Sequence, residues 1–178
     1  MFKTSIKPLL KQASILLLAC LIVSCGFQMR GSYHVPAHLK NLCLQADSEK
    51  PLVKALRERL KLSGVQLADN DIAAQVSDSE CAQLVLLSDT LERRTLSLFP
   101  NAQVAEYQLI YQVKYLVEFD SARGTERQIE DFEFEIYRDY QDDPDRVLAK
   151  SREMKLILSE MRQQAADRIV RSLSAIQY

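Results

Sequence analysis

The feature that most constrains this chain is the 17-residue stretch Val104–Asp120, in which polarity alternates residue by residue. Tyr107, Leu109, Tyr111, Val113, Tyr115, Val117 and Phe119 fall on one parity, and Glu106, Gln108, Gln112, Lys114 and Glu118 on the other. Successive side chains of an extended strand point to opposite faces, so this pattern predicts a long strand with one buried and one wet face. Gln128–Gln141 repeats the partition, with Phe132, Phe134, Ile136 and Tyr140 opposed to Asp131, Glu133, Glu135 and Asp139. A third long strand is predicted over Gln83–Phe99. Pro100-Asn101-Ala102 and Ser121-Ala122-Arg123-Gly124 separate the three, and turns this short join antiparallel neighbours into a meander.

A sheet that is apolar on one face needs a second layer to cover it. Two helical patterns can supply that layer. Leu52, Val53, Leu56 and Leu60 recur at helical spacing, with Lys54, Arg57, Glu58 and Lys61 facing away. Pro51 suits the first turn, and Gly64 ends the run. After Asp142-Asp143-Pro144 a longer pattern runs to about Leu173, through Val147, Met154, Ile157, Leu158, Met161, Ala165, Ile169, Val170 and Leu173. A short strand over Leu39–Gln45 precedes the first helix, and the small, polar Asp69–Glu80 reads as a loop. The expectation is an α+β two-layer sandwich, about four strands packed on two helices in the order β-α-β-β-β-α.

One element resists simple reading. In 83–99, Leu84 and Leu86 share a parity with Thr90, Glu92 and Arg94, after which Leu96 and Leu98 return on it. A bulge produces such a switch, and so does a strand that runs past its helices into a partner.

The N-terminus reads as an address. Lys3, Lys7 and Lys11 precede Ala13–Val23, 11 residues that are apolar apart from Ser14, which is the pattern of a signal peptide. Spanning a bilayer takes about 20 such residues. Ile22-Val23-Ser24-Cys25 resembles the lipobox of bacterial lipoproteins, so residues 1–24 are expected to be removed and Cys25 acylated, leaving 25–178 as a single domain. Several acyl chains exceed the limit of reversible attachment. Gly26, where an Asp would hold such a protein at the inner membrane, implies the periplasmic face of the outer membrane.

Taking the three signal lysines from the chain's 23 basic residues leaves 20 against 24 acidic ones, a mature domain near −4. No basic field remains for wrapping nucleic acid. With Cys20 removed and Cys25 lipidated, Cys43 and Cys81 form an even pair in an oxidising compartment; a disulfide and a buried free thiol both fit. His34 and His38 have the spacing of a helical metal pair, but Pro36 between them argues against the helix. There is no glycine-rich phosphate loop, nucleophile elbow or supported Cys nucleophile. Glu133 and Glu135 belong to a solvated strand face rather than a glycosidase dyad. No enzyme, cofactor or metal site is expected.

The mature start, Cys25-Gly26-Phe27-Gln28-Met29-Arg30-Gly31 with Val35-Pro36 and Lys40, resembles that of the LPS-assembly lipoprotein LptE family. Residues 52–65 (LVKALRERLKLSGV), Ala105-Glu106-Tyr107-Gln108, Arg138-Asp139-Tyr140, Asp142-Asp143-Pro144 and Leu148-Ala149-Lys150 follow the family pattern in order. The resemblance implies an outer-membrane subunit, not an enzyme, that plugs the LptD β-barrel, supports its assembly and helps lipopolysaccharide (LPS) reach the outer leaflet. A generic periplasmic lipoprotein binding another envelope partner is the alternative. The resemblance also implies an LPS contact at Lys150. Some relatives carry arginine at the strand turn, where this chain has Phe99-Pro100, and Arg93 and Arg94 are the candidate substitutes.

Overall fold

The computed structural model describes residues 35–68, 81–120 and 127–176. The signal segment, Cys25, His34, the 69–80 loop and the 121–124 turn lie outside the described residues. A single 3-10 turn, Ala37–Leu39, leads into β1 (Asn41–Gln45), α1 (Pro51–Leu62), β2 (Gln66–Ala68), β3 (Ala82–Leu98), β4 (Val104–Asp120), β5 (Arg127–Gln141), a second 3-10 turn (Pro144–Arg146) and α2 (Val147–Ala175). The five strands form one sheet in the order β2-β1-β3-β4-β5. β1 is parallel to both its neighbours, and the three long strands form the antiparallel meander.

The α+β sandwich therefore stands, with one strand more than expected. β2 is only three residues long and half-exposed, too short to show any period in the sequence. It exists because Gly64 turns the chain at φ 77°, a left-handed conformation that glycine adopts without strain. Val65 Nα then donates to the Leu60 carbonyl at 3.0 Å, and Gln66 Nα to the Lys40 carbonyl at 2.7 Å, which starts the pairing with β1.

The core follows the alternation of β4. Leu109, Tyr111, Val113, Tyr115, Val117 and Phe119 are all buried, while Tyr107 is half-buried. From α1 they meet Leu52, Val53, Leu56 and Leu60, and from α2 Met161, Ala165, Ile169 and Leu173. Arg59 pairs with Asp167 and ties the two helices together.

β3 changes face by bulging. Its register on β4 shifts between Leu86 and Ser88, and again on either side of Ser97. Leu84 and Leu86 lie opposite Val117 and Tyr115 on the helix side, but after the shift Asp89, Leu91 and Arg93 take that side, opposite Val113, Tyr111 and Leu109. Thr90, Glu92 and Arg94 move to the wet face. Beyond Val85, β3 pairs with β4 alone among the described strands. Bulges and the charged run Glu92-Arg93-Arg94 are the usual defences of such an open edge.

α2 departs from expectation at its start. Val147 is 65% exposed although it fits the helical period, and its neighbour Leu148 is 79% exposed; full burial begins only at Met161. At this end Leu109 is flanked by Arg93 and Arg138 on the helix-side face, and Tyr107 and Tyr140 follow, so the apolar core thins out.

Candidate anion-recognition site at the end of the sheet

The thin end of the core gathers the cations singled out in the sequence. Tyr107 on β4 stands directly opposite Tyr140 on β5. The Arg93 guanidinium lies 4.5 Å from the centre of the Tyr107 ring, and the Lys150 ammonium 5.3 Å from that of Tyr140. Each is a cation held on an aromatic face. Two neighbouring rings thus carry two positive charges on the helix side of the sheet.

Lys150 is fixed from two directions, because the Tyr140 hydroxyl also donates to the Lys150 backbone carbonyl at 3.1 Å. Burial, followed by the charge of Asp142, raises the Tyr140 hydroxyl above the ordinary tyrosine range; Lys150 and Arg93 both pull it down. Both cations therefore act on one phenol. The Lys150 ammonium itself donates to Glu153 Oε2 at 2.9 Å, and this bond holds it above the usual lysine range.

Arg94 is not part of this arrangement. The bulge in β3 places it on the wet face opposite Gln108, where it meets Glu92 at 3.5 Å with both side chains more than half exposed. Sequence parity groups Arg94 with Leu84 and Leu86 and so assigns it to the helix side; the bulge reverses this and brings Arg93 there instead.

Beside the tyrosine pair is an open cleft of about 820 Å³ between the β3–β4 turn and the β5–α2 connection. Phe99 and Pro100 form one wall; Asp142, Asp143, Arg146 and Lys150 contribute to the other. The turn is closed by Phe99 Nα donating to the Gln103 carbonyl at 2.8 Å, and Asn101 Oδ1 accepts from Gln103 Nα at 3.1 Å. On the opposite wall Asp143 Oδ1 accepts from Asp145 Nα at 3.1 Å and caps the second 3-10 turn. Sequence reasoning did not find Tyr107 and Tyr140 as supports of the cations, since both read only as core positions. His38 sits in the first 3-10 turn, where burial lowers its pKa and its ring lies 5.8 Å from Phe119.

One five-stranded sheet covered by two helices defines a two-layer α+β domain. The family model for LptE, described as lipopolysaccharide-assembly, matches residues 39–173. The chain is 35% identical over 164 residues to the LPS-assembly lipoprotein LptE of Pectobacterium atrosepticum, covering 91% of this chain and 84% of that protein. It is 33% identical to the Yersinia enterocolitica protein of the same name, over 89% of this chain and 73% of the relative. Among solved structures, rare lipoprotein B from Shewanella oneidensis superposes with a TM-score of 0.63 at 44% identity, covering 76% of this chain and 94% of that one. The chain belongs to the LptE family of LPS-assembly lipoproteins.

Proposed function

We propose that the chain is an outer-membrane lipoprotein, held at the periplasmic face through an acylated Cys25, that plugs the LptD barrel, supports its assembly and assists LPS transfer to the outer leaflet. Contact with LPS is made by Lys150 and Arg93. The observation that carries this reading is the convergence of those two cations on the Tyr107–Tyr140 pair. Preorganised cations form the strong, charge-assisted class of hydrogen bond to phosphate oxygens, and LPS bears phosphates on its lipid. The wet sheet face supports the plug role. Gln112, Lys114, Glu133 and Glu135 make it hydrophilic, as the polar interior of an outer-membrane barrel requires.

Lys150→Gln and Arg93→Gln should each weaken LPS capture by about tenfold, the scale of one charge-assisted bond. Arg94→Gln, on the opposite face, should capture like the parent. Titration of the purified protein with LPS in detergent measures all three, with urea midpoints as the folding control. Equal losses at Arg93 and Arg94 would mean that general charge, not this site, attracts LPS. Copurification from outer membranes in mild detergent tests the partner: recovery of a different envelope protein in place of LptD would favour the generic binding module.

The anchor has its own test. Cys25→Ala should leave a periplasmic domain that fractionates as soluble in cells lacking the barrel, because the described core lies entirely beyond the lipid site. Continued sedimentation with membranes in those cells would overturn the lipid anchor.

A further inference from the structure

The cation best placed for a phosphate is already engaged. Lys150 Nζ donates to Glu153 Oε2 at 2.9 Å, and the two side chains differ in enclosure, 19% exposed for the lysine and 48% for the glutamate. The lysine is the enclosed partner: the Tyr140 ring lies under its ammonium, and the Tyr140 hydroxyl donates to its backbone carbonyl. The glutamate is the outer partner and is free to turn into solvent.

The pair also does little for the tertiary structure, adding only the small stabilisation of a local helix pair. Lys50–Asp89 ties the start of α1 to β3, and Arg59–Asp167 ties α1 to α2. Lys150 and Glu153 lie one turn apart on the same helix, so their bond joins no two elements. A carboxylate on an ammonium offers the same anionic oxygens that a phosphate would.

We propose that Glu153 is a built-in competitor, occupying the phosphate position on Lys150 in the free protein and displaced when a phosphorylated lipid headgroup binds. This deepens the proposed function and rests on Lys150 contacting LPS. The consequence is release. A protein that passes lipid onward needs a bond that is readily broken, and an internal anion that reclaims the ammonium shortens residence without removing the site.

The test uses the detergent-solubilised full chain, titrated with purified LPS and with the same LPS stripped of its phosphates. Glu153→Gln is expected to capture phosphorylated LPS about two- to fivefold more tightly, since a surface pair one helical turn apart is a modest competitor. The gain should vanish for dephosphorylated LPS and in the Lys150→Gln/Glu153→Gln double variant. A glutamate with only a structural role would lower the urea midpoint and would not tighten binding. If Lys150→Gln weakens capture but Glu153→Gln leaves it unchanged or weaker, competition is overturned while the LPS contact stands. If Lys150→Gln captures like the parent, the contact itself falls and the inference with it. Inorganic phosphate serves as the second probe: should it fill the site of Glu153→Gln as tightly as LPS does, the lipid is not the ligand and the inference fails.

Discussion

Tyr111→Ala should lower the unfolding free energy of the domain by about 3–5 kcal/mol, the range for truncating a buried aromatic ring. Tyr111 is 2% exposed, between Leu91 of β3 and Ile136 of β5 in the register of the sheet. Its hydroxyl donates to Asp89 Oδ2 at 2.8 Å, and the other oxygen of that carboxylate accepts from Lys50 Nζ at 2.8 Å. A chain of three polar groups thus fastens the start of α1 to the middle of the sheet. Removing the ring leaves a cavity and breaks that chain. Tyr111→Phe keeps the ring and loses only the hydroxyl, so it should cost about 1 kcal/mol. Gln112→Ala, one residue along but facing the wet side, should be nearly silent, since Gln112 is half-exposed and its amide donates to the exposed Glu133 there. Equal losses for Tyr111→Ala and Gln112→Ala in urea melts would reverse the assignment of the sheet's faces.

The same hydroxyl makes stability depend on alkaline pH. Burial first, then the hydrogen bond and charge of Asp89, raise the folded Tyr111 well above its ordinary value of 10.0. The folded state therefore keeps this proton more tightly than the unfolded one. Its contribution is fully present below pH 10 and is lost as the pH climbs from there toward the folded value. The parent should thus lose stability above pH 10 more steeply than Tyr111→Phe does.

What was legible in the sequence was periodic. β4 could be read because all its helix-side positions from Leu109 to Phe119 are buried, so the period of two survives intact. α1 was equally clear, with Pro51 at its start, Gly64 after its end and four apolar residues on one stripe. Periodicity failed wherever the structure inserts a residue or runs out of core. The bulge at Leu86/Ser88 exchanges the faces of Arg93 and Arg94, bringing Arg93 to the helix side in place of Arg94, which is the distinction on which the candidate site turns. Val147 keeps the helical spacing but is exposed, because full burial of α2 begins only at Met161. The cations were legible as residues; their convergence was not, because Arg93, Tyr107, Tyr140 and Lys150 meet only through the pairing of three strands and the start of a helix.

Cysteine arithmetic leaves both a bridge and a buried thiol open and leans to the thiol, whereas the structure has the bridge. Cys43 and Cys81 are disulfide-bonded with their Cα atoms 5.8 Å apart. Cys43 lies on β1 and is buried, and Cys81 immediately precedes β3, whose Ala82 pairs with Leu42. The bond therefore clamps the parallel β1–β3 junction, a ladder of only four residue pairs and far shorter than the β3–β4 and β4–β5 ladders. It also closes a loop of 38 residues that contains α1 and β2. Constraining a loop of that size in the unfolded chain is worth about 3–4 kcal/mol. Cys43→Ala/Cys81→Ala should lose stability on that scale, with α1 and β1 coming loose before the meander does. Reduction of the unmutated protein separates the cross-link from the packing, because the thiols keep the volume that alanine gives up. Hydrogen exchange should then show protection falling in β1, β2 and α1 while the central residues of β4 stay protected. A reduced protein with an unchanged urea midpoint would mean that the short parallel junction holds by packing alone.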